Sequence, residues 1–152
     1  MTSKILLALL SALVVTVAPV RAAKDDNSAL LSTLGYTTGQ SVLVTHLAIG
    51  TLADAYVGKM YKSEQATSIV TTYINVTKGM KEHMIKLMDA GTLDKSDAEF
   101  VQNTVDVLDL VLREGDDLRD YISSGKQNDA QAYDGSRKKA WKEIKTLLSI
   151  KD

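Results

Sequence analysis

Four side chains in the middle of this chain can ligate a metal: His46, Met80, His83 and Met84. Imidazole nitrogen with thioether sulfur is a donor set suited to Cu(I), and the same pair holds haem iron. Folding the segments that carry the two histidines back on each other about Lys62 sets His46 opposite about residue 78. His83 then lies about five residues, roughly 7–8 Å, further along the same end. One expectation is therefore an exported copper or haem carrier built on His46, Met80, His83 and Met84.

The competing expectation needs no cofactor. Met is a common core filler. A His on an apolar stripe finds a neighbouring hydroxyl or carbonyl, and Tyr56, Tyr73 and Thr77 are at hand. No ligand spacing enforces a site, as it would in a zinc or haem motif. The residue types favour the core, and cofactor-binding residues stay unassigned.

Other chemistries lack their parts. There is no Cys, which removes thiol catalysis, thiolate zinc and covalent haem attachment. No G-x-S-x-G, H-E-x-x-H, EF-hand loop or G-x-G-x-x-G occurs. Gly125-Lys126 is followed by Gln127, so it is not a phosphate loop. Di-iron bundles need E-x-x-H on two helices, but Glu82 and His83 are adjacent and face different ways. Acid pairs such as Asp116-Asp117 are ordinary on a solvated helix face. The expectation is a non-enzyme with no catalytic residue. Asn75-Val76-Thr77 matches a glycosylation acceptor but falls inside an expected helix. Six Tyr outnumber the single Phe and Trp. They suit either bundle edges or a small-ligand pocket, so a ligand-sensing bundle is a further alternative.

The elements that would position these residues begin with a leader. Met1–Lys4 carries one positive charge, Ile5–Val17 is apolar but for Ser11 and Thr16, and Pro19 precedes Val20-Arg21-Ala22. This is the layout of a secretory signal peptide cleaved after Ala22. The run is shorter than the roughly 20 residues that span a bilayer, and no integral membrane segment is expected after cleavage. The expected location is secreted or periplasmic. The remaining 130 residues carry 16 basic and 19 acidic side chains, a net of −3, which gives no reason to expect nucleic acid as a partner.

Residues 23–39 read as a flexible or strap-like segment, and 40–152 as four helices. No Pro follows Pro19, as long helices require. Apolar residues at 4-3 spacing predict buried stripes. The first is Val42, His46, Ile49, Ala53, Tyr56 and Met60, on a helix from about Gln40 to Tyr61. The second is Ile69, Tyr73, Val76, Met80, His83 and Leu87, on a helix from about Glu64 to Ala90, with Ser63 as its cap. The third is Val101, Thr104, Leu108, Val111, Gly115, Leu118 and Ile122, after a capping box at Ser96-Asp97-Ala98-Glu99. The fourth uses Ala130, Tyr133, Ala140, Trp141, Ile144, Leu147 and Leu148, after a cap at Asn128. Short connections predict an all-α, up-down-up-down antiparallel four-helix bundle.

Acids dominate residues 96–125 and bases residues 126–152. This predicts pairing of Asp106 and Asp109 with Lys145 and Lys142, and of Arg137 with Glu114 or Asp116. Val57, Val107 and Leu110, outside the main stripes, leave room for a homodimer. The function expected is an exported binding or protein-interaction module of unknown partner.

Overall fold

The structure, a computed structural model, describes residues 23–151. The expected leader, residues 1–22, lies outside them. The described chain is four α-helices packed as a bundle: α1 Ala23–Val57, α2 Ser63–Asp89, α3 Lys95–Ser124 and α4 Gln127–Leu147. No helix among the described residues is long and apolar enough to cross a membrane.

α1 corrects the expected strap. Residues 23–39 are helical and continuous with the rest of α1. The glycines that suggested a loose segment are points of close packing. A Cβ on Gly35 would meet the Phe100 ring at 3.2 Å, and one on Gly39 would meet Leu148 at 2.5 Å. Burial against neighbouring helices outweighs the cost of Gly in a helix, about 1 kcal/mol per residue. α1 also stops at Val57, before the expected Tyr61. Lys59 turns into the left-handed region with φ 61°, and the Met60 N–H closes on the Ala55 carbonyl at 2.9 Å. Met60, expected on the buried stripe, lies past this stop and is 76% exposed.

The cap of α3 is Asp94, whose carboxylate accepts the Asp97 N–H at 2.9 Å, in place of the expected box at Ser96. α4 begins at Gln127, one residue before the expected cap, behind Gly125 in the left-handed region. There the Ser124 hydroxyl accepts the Lys126 N–H at 3.1 Å and donates to Asp129.

The core is made of Val42, Ile49, Leu52 and Ala53 from α1; Ala66, Val70, Ile74 and Met84 from α2; Val101, Leu108, Val111, Leu118 and Ile122 from α3; and Tyr133, Ala140 and Ile144 from α4. The third stripe is buried as expected, residue for residue. The second is displaced by one position. Val70, Ile74 and Thr77 face inward, while Val76 and His83 are exposed. Ile74 occupies the space over Gly115, where a Cβ would come within 2.9 Å of its Cγ1. That contact sets the rotation of α2.

α3 touches all three other helices, and α1 does the same, but α2 and α4 do not meet. The bundle is thus closed along the α1–α3 diagonal. Across α2 and α3, Lys81 pairs with Asp109. This corrects the expected Asp109–Lys142 pair. Lys142 lies instead 3.8 Å from its neighbour Glu143.

Candidate functional site

The four expected ligands do not share a face. His46 turns its ring to α3 and α4, Met84 is buried beside Thr38 and Val101, Met80 is half-buried, and His83 is exposed on α2. α2 does not reach α4, so His83 cannot join His46 there. Among the described residues no three His, Cys, Asp or Glu side chains converge as a metal site would require.

His46 instead closes a polar cluster inside the bundle. Its Nδ1 lies 2.7 Å from Glu114 Oε2, with both side chains buried. Its ring stacks on Trp141 of α4, with centroids 5.6 Å apart and planes 6° from parallel. Lys145 Nζ sits 5.8 Å from the Trp141 ring centroid. Arg137 crosses α1 over Gly50, where a Cβ would come within 2.6 Å of the guanidinium, and approaches Asp54 at 3.9 Å. Its charge also acts on Glu114, but Asp116 belongs to Arg119 at 2.7 Å.

Burial pushes the Glu114 carboxyl above the usual carboxylate range, against the lowering effect of the His46 hydrogen bond and the charges of His46 and Arg137. Glu114 Oε1 makes no hydrogen bond, and the buried Tyr133 hydroxyl lies within reach of the Arg137 guanidinium. Burial raises the Tyr133 phenol as well. One buried acid bonded to one His, with a cation on the far side, is an arrangement that clasps three helices together. A signal for Glu114 was present in the sequence: it is an acid adjacent to the inward stripe, three residues after Val111 and four before Leu118.

A second feature lies on the outside. From Ser28 to Val57 the only ionised residue is Asp54, and from Gln65 to Thr77 there is none. The α3 and α4 surfaces, by contrast, are densely charged. The stretches of α1 and α2 adjoin across a groove of about 580 Å³ whose lining includes Ala48, Thr51, Tyr61, Ile69 and Tyr73, with Asp54 as its one ionised residue. Val44 on α1 is 62% exposed and Val76 on α2 is 56% exposed. Of the residues that left room for a dimer, Val57 is exposed, Leu110 is half-buried and Val107 is buried. Apolar periodicity marks only the buried side of a helix, and a Thr-rich side reads as polar, so this face was not legible in the sequence.

No family model, curated protein or solved structure matches the chain.

Proposed function

We propose that this protein is an exported, non-catalytic helical bundle whose α1–α2 side docks another protein. The observation that supports the reading is the neutral, partly apolar face running along α1 and the first half of α2. A helix without a charged side has no solvent-facing side of the ordinary kind, and such helices are normally covered. Charged residues are depleted at the centres of protein interfaces for the same reason: burying them costs desolvation.

The up-down-up-down arrangement belongs to this proposal. Ile74 meets Gly115 and Lys81 meets Asp109, so position advances along α2 as it retreats along α3. Gly39 meets Leu148 and Gly50 meets Arg137, which gives α1 and α4 the same opposed sense. The leader of residues 1–22 supplies the export, to the periplasm or outside the cell.

The chain has no Cys, so single cysteines report solvent access cleanly. With Val44→Cys, Val76→Cys and an α4 control Lys139→Cys expressed in the native host, a membrane-impermeant thiol reagent should label the control and spare the two on the neutral face. Purified, unfolded chain should label at all three. Equal labelling of Val44→Cys and Lys139→Cys in intact cells would overturn the docking reading, and intracellular protein with an uncut leader would overturn the export.

A further inference from the structure

The structure assigns a ligand site to the seam between α1 and α4: a cleft that takes the carboxylate of a small organic monoanion on Arg137 and His46, with the apolar body of the ligand against Leu47 and Trp141. The site is independent of the docking reading, which concerns the side of α1 that adjoins α2.

Two matched rungs build the cleft. His46 stacks on Trp141, and the Arg137 guanidinium lies against Gly50, where a Cβ would come within 2.6 Å of it. His46 and Gly50 are one turn apart on α1, and Arg137 and Trp141 are one turn apart on α4, so both pairs share a helix side. Any side chain at position 50 would push the guanidinium away. Beside the rungs is a cleft of about 330 Å³, walled by His46, Leu47, Asp134, Arg137, Lys138 and Trp141.

The wall is rich in donors that the fold does not use. Arg137 carries five N–H groups. Its nearest carboxylate, Asp54, is 3.9 Å away and 77% exposed, beyond hydrogen-bond reach and too solvated to hold the guanidinium strongly. Tyr133 takes only one side of the fork. His46, 4% exposed, makes its one hydrogen bond through Nδ1 to Glu114, so Nε2 has no partner among the described residues. Burial favours the protonated Glu114 carboxyl. That carboxyl donates to Nδ1 and leaves the ring proton on Nε2, a second donor on the same wall. A packed guanidinium with an open fork suits a planar acceptor with two oxygens, which is a carboxylate.

Charge and size narrow the ligand further. Lys138 is bonded to Asp134 and adds no uncompensated charge. Arg137 alone is left to be matched, so the site fits one negative charge. A dianion would meet Asp134 and Asp54 on either side of the guanidinium. The volume is at the small end of ligand pockets, which run from roughly 300 to 1,000 Å³. Leu47, 51% exposed, and the half-buried Trp141 offer apolar surface to the rest of the molecule.

Titration of the purified protein with hexanoate at about pH 6, where the probe is ionised, tests the site. Trp141 is the only Trp in the chain, so its indole N–H gives a single nuclear magnetic resonance signal to follow. The expected result is a saturable shift with hexanoate. Hexanol, which has the body without the charge, and sulfate, which has charge without the body, should each bind at least tenfold more weakly. Arg137→Gln should weaken hexanoate at least tenfold with the helical signal unchanged. Leu47→Glu, at an exposed position, should do the same by setting a like charge in the mouth of the cleft, and it carries the comparison where Arg137→Gln loses its fold. Absence of a saturable shift overturns the proposal. Hexanol or sulfate bound as tightly as hexanoate also overturns it, leaving a bare apolar cleft or a general anion site. Hexanoate bound equally well by Leu47→Glu places the carboxylate elsewhere and overturns it too.

Discussion

His46 Nδ1 and Glu114 Oε2 lie 2.7 Å apart across the α1–α3 diagonal, 68 residues from each other in sequence. The pair sits where the bundle is closed, and Trp141 stacks on it from α4. Removing one member leaves the other buried without its partner. His46→Ala is expected to cost about 3–5 kcal/mol of folding stability, and the apolar double variant His46→Phe/Glu114→Leu should recover most of it. Chemical denaturation of the three proteins checks this. Trp141, the only Trp in the chain, supplies the signal. A His46→Ala protein as stable as the double variant would mean that the pair is not a joint.

Glu114 should also leave a mark on the pH dependence of stability. Burial raises its carboxyl in the folded state above 4.5, its ordinary value, so the native protein holds this proton more tightly than the unfolded chain does. Below about 4.5 both states are protonated and the group has no effect. Between 4.5 and the raised folded value the unfolded chain gives up this proton while the native state keeps it, so stability falls, and the slope ends once both states are ionised. Glu114→Gln lacks this slope. Stability of the wild type relative to Glu114→Gln should therefore decline with rising pH above 4.5, read from urea melts at a series of pH values. A relative gain with rising pH would show that the carboxylate is favoured in the fold.

Two kinds of helical glycine should respond in opposite directions. At Gly115 a Cβ would come within 2.9 Å of Ile74 Cγ1. Ile is stiff at this position, so Gly115→Ala is expected to destabilise by about 1–3 kcal/mol through overpacking. At Gly79 and Gly135 a Cβ meets nothing within 4 Å. There the same change should stabilise by about 0.5–1 kcal/mol through helix propensity alone. Thermal melts of the three single variants separate the two cases.

The start of α3 offers a third comparison. Asp94 accepts the Asp97 N–H, whereas no side-chain hydrogen bond ties Ser96 to the backbone. Asp94→Ala should cost about 1 kcal/mol and Ser96→Ala little. The reverse order would place the cap where the sequence pattern put it.

The sequence by itself determined four helices, their approximate centres, and the whole buried stripe of α3. It could do so because apolar residues at 4-3 spacing mark one side of a helix wherever that helix sits, and α3 alternates such residues with charges that leave no second choice. α2 shows where this stops. Ile69-Tyr73-Val76 and Val70-Ile74-Thr77 are adjacent stripes of similar character. A rotation of about 100° exchanges them, and only the fit of Ile74 over Gly115 decides between them. The same rotation leaves His83 exposed on α2, while His46 is buried. Gly35 and Gly39 read locally as loose chain; Phe100 and Leu148, more than sixty residues away, make them helix. The partner of His46 and the neutral outer side of α1 were likewise settled by tertiary structure. Periodicity records that a helix has an inside, but which neighbour fills it, and which side is left over, depends on contacts between residues far apart in the chain.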